Sequence, residues 1–342
     1  MFLVLFLASV LWALGWLTGT PQRLRFVMIG VLFAVVMLLQ VVLPDGHPLR
    51  EATGGSLVLW LMLAATAAVV LLYRCGLQAL RKRAVKEVDP VKKPTFSETE
   101  LNRYARHIVL HEVGGSGQKR MKQARVLVIG AGGLGAPVLL YLAASGVGTI
   151  GIIDDDEVEN ANLQRQVIHR DADIGMPKVF SAKAAMEAQN PFVTVLPYHR
   201  RLTDENASDL FADFDIVMDG TDNFKTRYLV NRIAVKQGKP LISGALSQWE
   251  GQLSVFDPAH DAPCYQCIFP EAPAEGLAPS CAEAGVVGPL PGVVGSMMAL
   301  EAIKVITGAG APLRGQMLIY DGLYGESRKI GLQRRSDCPI CG

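Results

Sequence analysis

No aspartate, glutamate, lysine or arginine precedes Arg23 in this chain of 342 residues. The positively charged opening of a secretory signal is therefore missing. Net charge is nearly missing as well, at +1, which leaves no electrostatic case for nucleic acid as a partner. Cysteine is sparse, six in all: Cys75, Cys264, Cys267, Cys281, Cys338 and Cys341. A disulfide framework would be the reading for a secreted chain; in a cytosolic α/β domain, paired cysteines more often hold metal. Charge is also absent from three apolar runs, 2–17, 26–43 and 57–73. That argues against a transport pathway among them.

Those three runs dominate the first eighty residues. Each has 16–18 residues, near the short end of the roughly 17–25 needed for a spanning helix. Only Gln40 interrupts the second. Arg23 and Arg25 lie in the first connection, Asp45, Arg50 and Glu51 in the second, and Arg74, Arg81, Lys82, Arg83 and Lys86 follow the third. The excess of positive charge on the cytoplasmic side then puts the N-terminus outside and the remaining chain in the cytoplasm. A buried helical hairpin in a soluble protein is the alternative, and three runs with a basic segment after the last weigh against it. Cys75 reads as an inert residue at the membrane edge. The length predicts about two domains. The expected layout is a three-span anchor at 1–80 in the inner (cytoplasmic) membrane, a basic linker at 81–96 and a second domain at 97–342.

The second domain is organised around 125–165. A buried strand, 126–129, runs into Gly130-Ala-Gly132-Gly133-Leu-Gly135. An apolar helix follows to Ser145, and a second strand, 149–153, ends in Asp154-Asp155-Asp156. Strand, glycine turn, helix, strand, acid is the order of a nucleotide-binding βαβ unit. Glycines let phosphate approach the backbone, and the helix that follows aims its N–H groups and positive dipole end at it. Asp154, 19 residues beyond Gly135, suits the ribose hydroxyls. The expected fold class is α/β, a Rossmann-like domain with a mostly parallel sheet.

Polar loops follow the strands. Asn162, Gln164 and Arg165 lie just past Asp154, where ligands bind in such sheets, and arginine's fork suits phosphate oxygens. Lys178 opens a helix predicted to reach Gln189 and can donate to phosphate. Each cation taken alone is more simply a surface charge; their joint placement is the argument. A strand at 215–218 ends in Asp219-Gly-Thr-Asp222-Asn223. A carboxylate beside phosphates would hold Mg²⁺, and Asp222 is the first candidate; the plainer reading is that Asp222 or Asn223 caps the helix at 224–237. Ser97 and Glu100 form a capping box that opens a helix bearing Leu101, Tyr104, Ala105 and Ile108 on one face and Arg103, Arg106 and His107 on the other. Further strands are predicted at 193–197, 241–243 and 252–256, and an apolar helix at 292–306 serves as core or dimer contact.

Cys264-x-x-Cys267 and, 71 residues later, Cys338-x-x-Cys341 are four thiolates in two knuckles. They suit a closed tetrahedral Zn²⁺ site of structural role, with redox disulfides as the alternative. Cys281 stands alone in an Ala-, Gly- and Pro-rich loop at 271–287, a buried hydrophobe or a nucleophile on equal terms.

The glycine turn, Asn162-Leu-Gln-Arg-Gln166, Asp219-Gly-Thr-Asp-Asn223 and the two cysteine pairs, in this order, resemble the ThiF/MoeB/HesA family, adenylating enzymes related to the ubiquitin-activating enzymes. The resemblance covers about 97–342 and leaves out the apolar segment. It implies that ATP and the C-terminal Gly-Gly carboxylate of a ubiquitin-like sulfur carrier give an acyl-adenylate and pyrophosphate. It further implies that Gly133, Asp154, Ala161, Asn162, Leu163, Gln164 and Arg165 contact ATP, that Lys178 binds phosphate, and that Asp222 holds Mg²⁺ with Asn223 beside it. Arg106 would enter the partner subunit's site in a homodimer. Cys281 matches the family's cysteine loop, which some members use to form a thioester or persulfide-linked intermediate with the carrier and others do not need. The rhodanese domain of some relatives is absent from this chain, so the expected sulfur donor is a separate protein. The favoured carrier is the small subunit of molybdopterin synthase, in molybdenum cofactor biosynthesis; the thiamine-pathway carrier stays open. An NAD-dependent oxidoreductase and a nucleotide-binding membrane scaffold are the competing classes.

Overall fold

A computed structural model describes residues 2–54, 56–86, 95–273 and 284–342, the side chains of 81–86 excepted. The chain divides into two compact units, Met1–Pro94 and Thr95–Gly342.

The first unit is helical: α1 (Phe2–Leu17), α2 (Gln22–Val42), the short α3 (Pro48–Ala52) and α4 (Leu57–Lys86). The sequence breaks α4 at 73, but the helix continues through Arg74, so 81–86 are helical rather than linker. The rest of the expected linker, 87–94, lies outside the described residues. Its core is small, centred on Val4, Val36 and Trp60, while most apolar side chains face outward. Gln40, the polar interruption of the second run, is buried. It donates to Arg50 O (3.0 Å) and Thr53 Oγ1 (2.8 Å), and Trp60 Nε1 donates to Thr53 O (3.1 Å). These bonds tie the α2–α4 connection. Helix α2 and the Leu57–Leu80 part of α4 are long and apolar enough to cross a membrane, whereas α1, at 16 residues, is shorter.

The second unit begins with α5 (Glu98–Arg103), α6 (Ala105–Ile108) and α7 (Gly114–Gln123). The Ser97–Glu100 capping box is formed, but the helix it opens breaks at Tyr104. Then follow β1 (Arg125–Ile129), α8 (Gly135–Ser145), β2 (Thr149–Asp154), α9 (Lys178–Gln189), β3 (Thr194–His199), α10 (Asp204–Ala212), β4 (Ile216–Asp219) and α11 (Phe224–Lys236). The C-terminal part holds β5 (Leu241–Leu246), β6 (Glu250–Phe256), α12 (Tyr265–Ile268), α13 (Pro289–Thr307), β7 (Gln316–Asp321) and β8 (Glu326–Gly331).

One eight-stranded sheet runs in the order β3-β2-β1-β4-β5-β6-β7-β8. It is parallel from β3 to β5 and antiparallel from β5 to β8. Along β1 the side chains alternate as strand geometry requires. Val126 and Val128 pack in the core shared with α8, α9 and α13; Leu127 and Ile129 pack in the core shared with α10 and α11. The strand order reverses between β1 and β4, so their C-terminal ends open a crevice. Helix α13 also has the length and composition of a span, but half of that stretch is buried in this core.

Candidate nucleotide site

The crevice begins where β1 ends. Gly130 has φ +91°, a conformation glycine adopts without strain. Five residues on, a Cβ at Gly135 would lie 2.0 Å from the Gly130 carbonyl oxygen, so the turn closes onto the start of α8 only with glycine there. At the turn's centre, Ala131 N–H donates to Asp154 Oδ2 at 2.7 Å, and Asp156 N–H donates to Asp154 Oδ1 at 2.8 Å. Asp154 thus anchors the turn with one lone pair left on each oxygen. Burial pushes its pKa up, against the pull of the Ala131 amide and Lys178. Among the described residues no acceptor takes the N–H of Gly132 or Gly133. Two open amides beside a helix N-terminus attract an anion.

A cavity of about 970 Å³ joins this turn to the loops after β2 and β4; Gly130, Gly132, Gly133, Asp154, Arg165, Lys178, Asp222 and Asn223 all line it. None of residues 161–164 lines it. Arg165 donates to Asn162 Oδ1 (2.8 Å) and Ala161 O (3.2 Å), so these two brace the guanidinium. Gln164 O and Oε1 abut Gly288, where a Cβ would come within 2.7 Å of both. Leu163 is half-buried and lines no part of the cavity. Lys178 is buried at the start of α9, its Nζ 2.7 Å from Asp156 Oδ2. Arg106 is exposed on α6 and lines no part of the cavity, whereas its neighbour Arg103 is pinned to Gln189 O. Cys281 lies outside the described residues.

The loop after β4 separates two candidate roles. Asn223 Oδ1 accepts from Thr226 N–H at 2.9 Å, so Asn223 is the cap of α11. Asp222 is exposed to the cavity, and among the described residues no group hydrogen-bonds its carboxylate. Beneath it is a buried network that the sequence reading missed. Asp219, 1 % exposed, accepts from Thr221 N–H (3.0 Å), Thr221 Oγ1 (2.7 Å) and Ser243 Oγ (3.1 Å). Arg227, also buried, lies 3.7 Å from Asp219 Oδ2 and donates to Ser243 Oγ (3.1 Å), Gly244 O (2.7 Å) and Thr221 O. The only signal in the sequence was an arginine on the second turn of a helix that follows an acidic strand end.

Four cysteines far apart in the chain meet. Sγ separations are 3.8 Å for Cys264–Cys267, 3.6 Å for Cys264–Cys338 and 3.4 Å for Cys267–Cys341; all four sulfurs lie within 4.8 Å of one another and all four residues are buried. A disulfide needs about 2.05 Å. A tetrahedral ion with metal–sulfur bonds of about 2.3 Å separates sulfurs by about 3.8 Å. Burial raises the Cys264 thiol pKa; at Cys338 the backbone amides of Ile340 and Cys341 outweigh burial and bring it to about 7. The four residues therefore fit a thiophilic divalent ion with no open position.

Residues 104–340 match the model of the ThiF family. The sulfur carrier protein adenylyltransferase of Thermus thermophilus is 50 % identical over 251 residues, 72 % of this chain and 93 % of that one. The probable adenylyltransferase/sulfurtransferase MoeZ of Mycobacterium tuberculosis is 51 % identical over 259 residues, 74 % of this chain and 66 % of that one. Among solved structures, Escherichia coli MccB with ATP superimposes with a TM-score of 0.60 at 25 % identity, over 72 % of this chain and 76 % of that one.

Proposed function

This chain belongs to the ThiF family, and on that premise we propose that it adenylates the C-terminal glycine carboxylate of a ubiquitin-like sulfur carrier, activating it for sulfur transfer. The supporting observation is the single cavity that collects the open amides of the glycine turn, Arg165, Lys178 and the uncommitted carboxylate of Asp222. Both reactants are anions and a carboxylate is a weak nucleophile. Catalysis then reduces to neutralising phosphate charge and holding a carboxylate oxygen in line with the α-phosphorus, without a covalent enzyme group. The Gly132 and Gly133 amides, Arg165 and Lys178 cradle phosphate oxygens. Asp222 would hold Mg²⁺, which when bound would supply positive charge at the transferring phosphate. Asp154 accepts from the ribose. Incubating the full chain with ATP, Mg²⁺ and a carrier is expected to give the carrier acyl-adenylate by intact-mass spectrometry. A carrier lacking its last glycine should stay unmodified; equal modification of both forms would refute the reading.

The favoured carrier is of the molybdopterin-synthase type. Arg106, exposed and outside its own cavity, suits delivery into the site of a second subunit, hence a homodimer. Cys281 serves the later sulfur-transfer step rather than adenylation.

The four cysteines would hold a structural zinc that ties residues 338–341 to the 264–267 knuckle. The prediction is one zinc per chain by metal analysis, and a lower melting temperature once a chelator removes it. A metal-free protein that melts as the native one does would contradict this.

The first unit is a membrane anchor, a reading supported by its outward apolar surface and by two helices long and apolar enough to span lipid. Cell fractionation with an alkaline carbonate wash should leave the chain in the cytoplasmic-membrane pellet, with a C-terminal reporter on the cytoplasmic side. Release into the wash would overturn the anchor.

A further inference from the structure

Both backbone polar groups of Ala131 are held by side chains from elsewhere in the fold. Its N–H goes to Asp154, and its carbonyl lies 2.9 Å from His169 Nε2. A carbonyl only accepts, so Nε2 carries a proton there. On the ring's other side burial favours the neutral imidazole, so Nδ1 accepts the one proton of the Ser181 hydroxyl, 2.9 Å away, which braces the ring. His169 and Ser181 are 6 % and 1 % exposed, and neither lines the cavity.

A trans peptide is planar, with its C=O and N–H on opposite sides. Holding the Ala131 carbonyl toward His169 therefore turns the Gly132 N–H, the other half of the same peptide, away from His169. Gly132 lines the cavity, and its N–H has no acceptor among the described residues. We propose that His169, braced by Ser181, is a positioning residue that locks the 131–132 peptide so that the Gly132 N–H meets a nucleotide phosphate. If that peptide flips, a carbonyl oxygen faces the phosphate instead of a donor. The inference rests on the adenylation reading, since it needs a phosphate-bearing ligand in this cavity.

The test compares two variants of the full chain in detergent. In His169→Gln the amide nitrogen reaches the place of Nε2; in His169→Asn the shorter side chain still reaches Ser181 but not Ala131. Affinities are measured for a nonhydrolysable ATP analogue and, by competition, for adenosine. His169→Asn is expected to bind the analogue about tenfold to a hundredfold more weakly, the range of a hydrogen bond to a charged group, while adenosine changes less than about twofold. His169→Gln should recover most of the loss. Wild-type affinity in His169→Asn, equal weakening of both ligands, or no recovery in His169→Gln would each overturn the role. Should the His169 variants fail to fold, Ser181→Ala, which loosens the brace alone, should show the same analogue-selective loss at smaller size; equal loss for both ligands or none overturns the proposal. A wild-type chain that binds no ATP analogue would instead bring down the adenylation reading, and this role with it.

Discussion

Replacing Asp222 with alanine is expected to abolish magnesium-dependent adenylation and leave the fold intact. The two halves of that expectation have separate causes. Asp222 is exposed, its carboxylate has no hydrogen-bond partner among the described residues, and the cap of α11 belongs to Asn223. Surface substitutions of that kind change stability by about 0.5 kcal/mol or less. The carboxylate's value is instead electrostatic. A metal ion stabilises transferring phosphate by several kcal/mol, so losing its ligand should slow the reaction by roughly a thousandfold or more. Carrier-dependent pyrophosphate release and a thermal melt on the same preparation separate the effects. Pyrophosphate release at the wild-type rate would show that Asp222 is no magnesium ligand.

Arg227→Ala should have the largest effect on stability. Arg227 and Asp219 are both buried, and they share Ser243 as a bridging partner. Truncating one member of a buried pair leaves the other charge uncompensated, which costs about 3–5 kcal/mol. The carbonyls of Thr221 and Gly244 would also lose their donor. Denaturant unfolding of the second unit should show the drop as a lower midpoint. Adding Asp219→Asn to Arg227→Ala should restore part of it, because the stranded charge is then gone. A change below about 1 kcal/mol would mean that solvent reaches Asp219. Activity should fall with stability here, since this network sets the loop that carries Asp222.

Local patterns in the chain made the heart of the second unit readable. The alternation of β1, the glycines of the turn and the apolar run of α8 each state their own conformation, and α9 and α11 fall within a residue of the expected ends. The cysteine pairs state their partners by chemistry rather than position, and they do converge. What stayed hidden depends on neighbours that only the sheet brings together. Arg227 looks like any helix cation until β4 and β5 lie side by side and place Asp219 and Ser243 against it. His169 likewise gives no sign that it reaches Ala131, 38 residues upstream. Strand β8 has all six residues exposed at the sheet edge, so no alternation marks it. Helix α7, Gly114–Gln123, opens on glycines, and although its buried positions 117, 118 and 121 keep helical spacing, two of them are Gly and Gln, so no apolar stripe marks it.

The most direct test of the adenylation account is ATP–pyrophosphate exchange by the full chain, with molybdopterin-type and thiamine-type carriers offered in turn. The account predicts exchange that requires Mg²⁺ and a carrier ending in Gly-Gly, and that one carrier supports and the other does not. No exchange with either, in a preparation that still holds its metal and binds ATP, would contradict it.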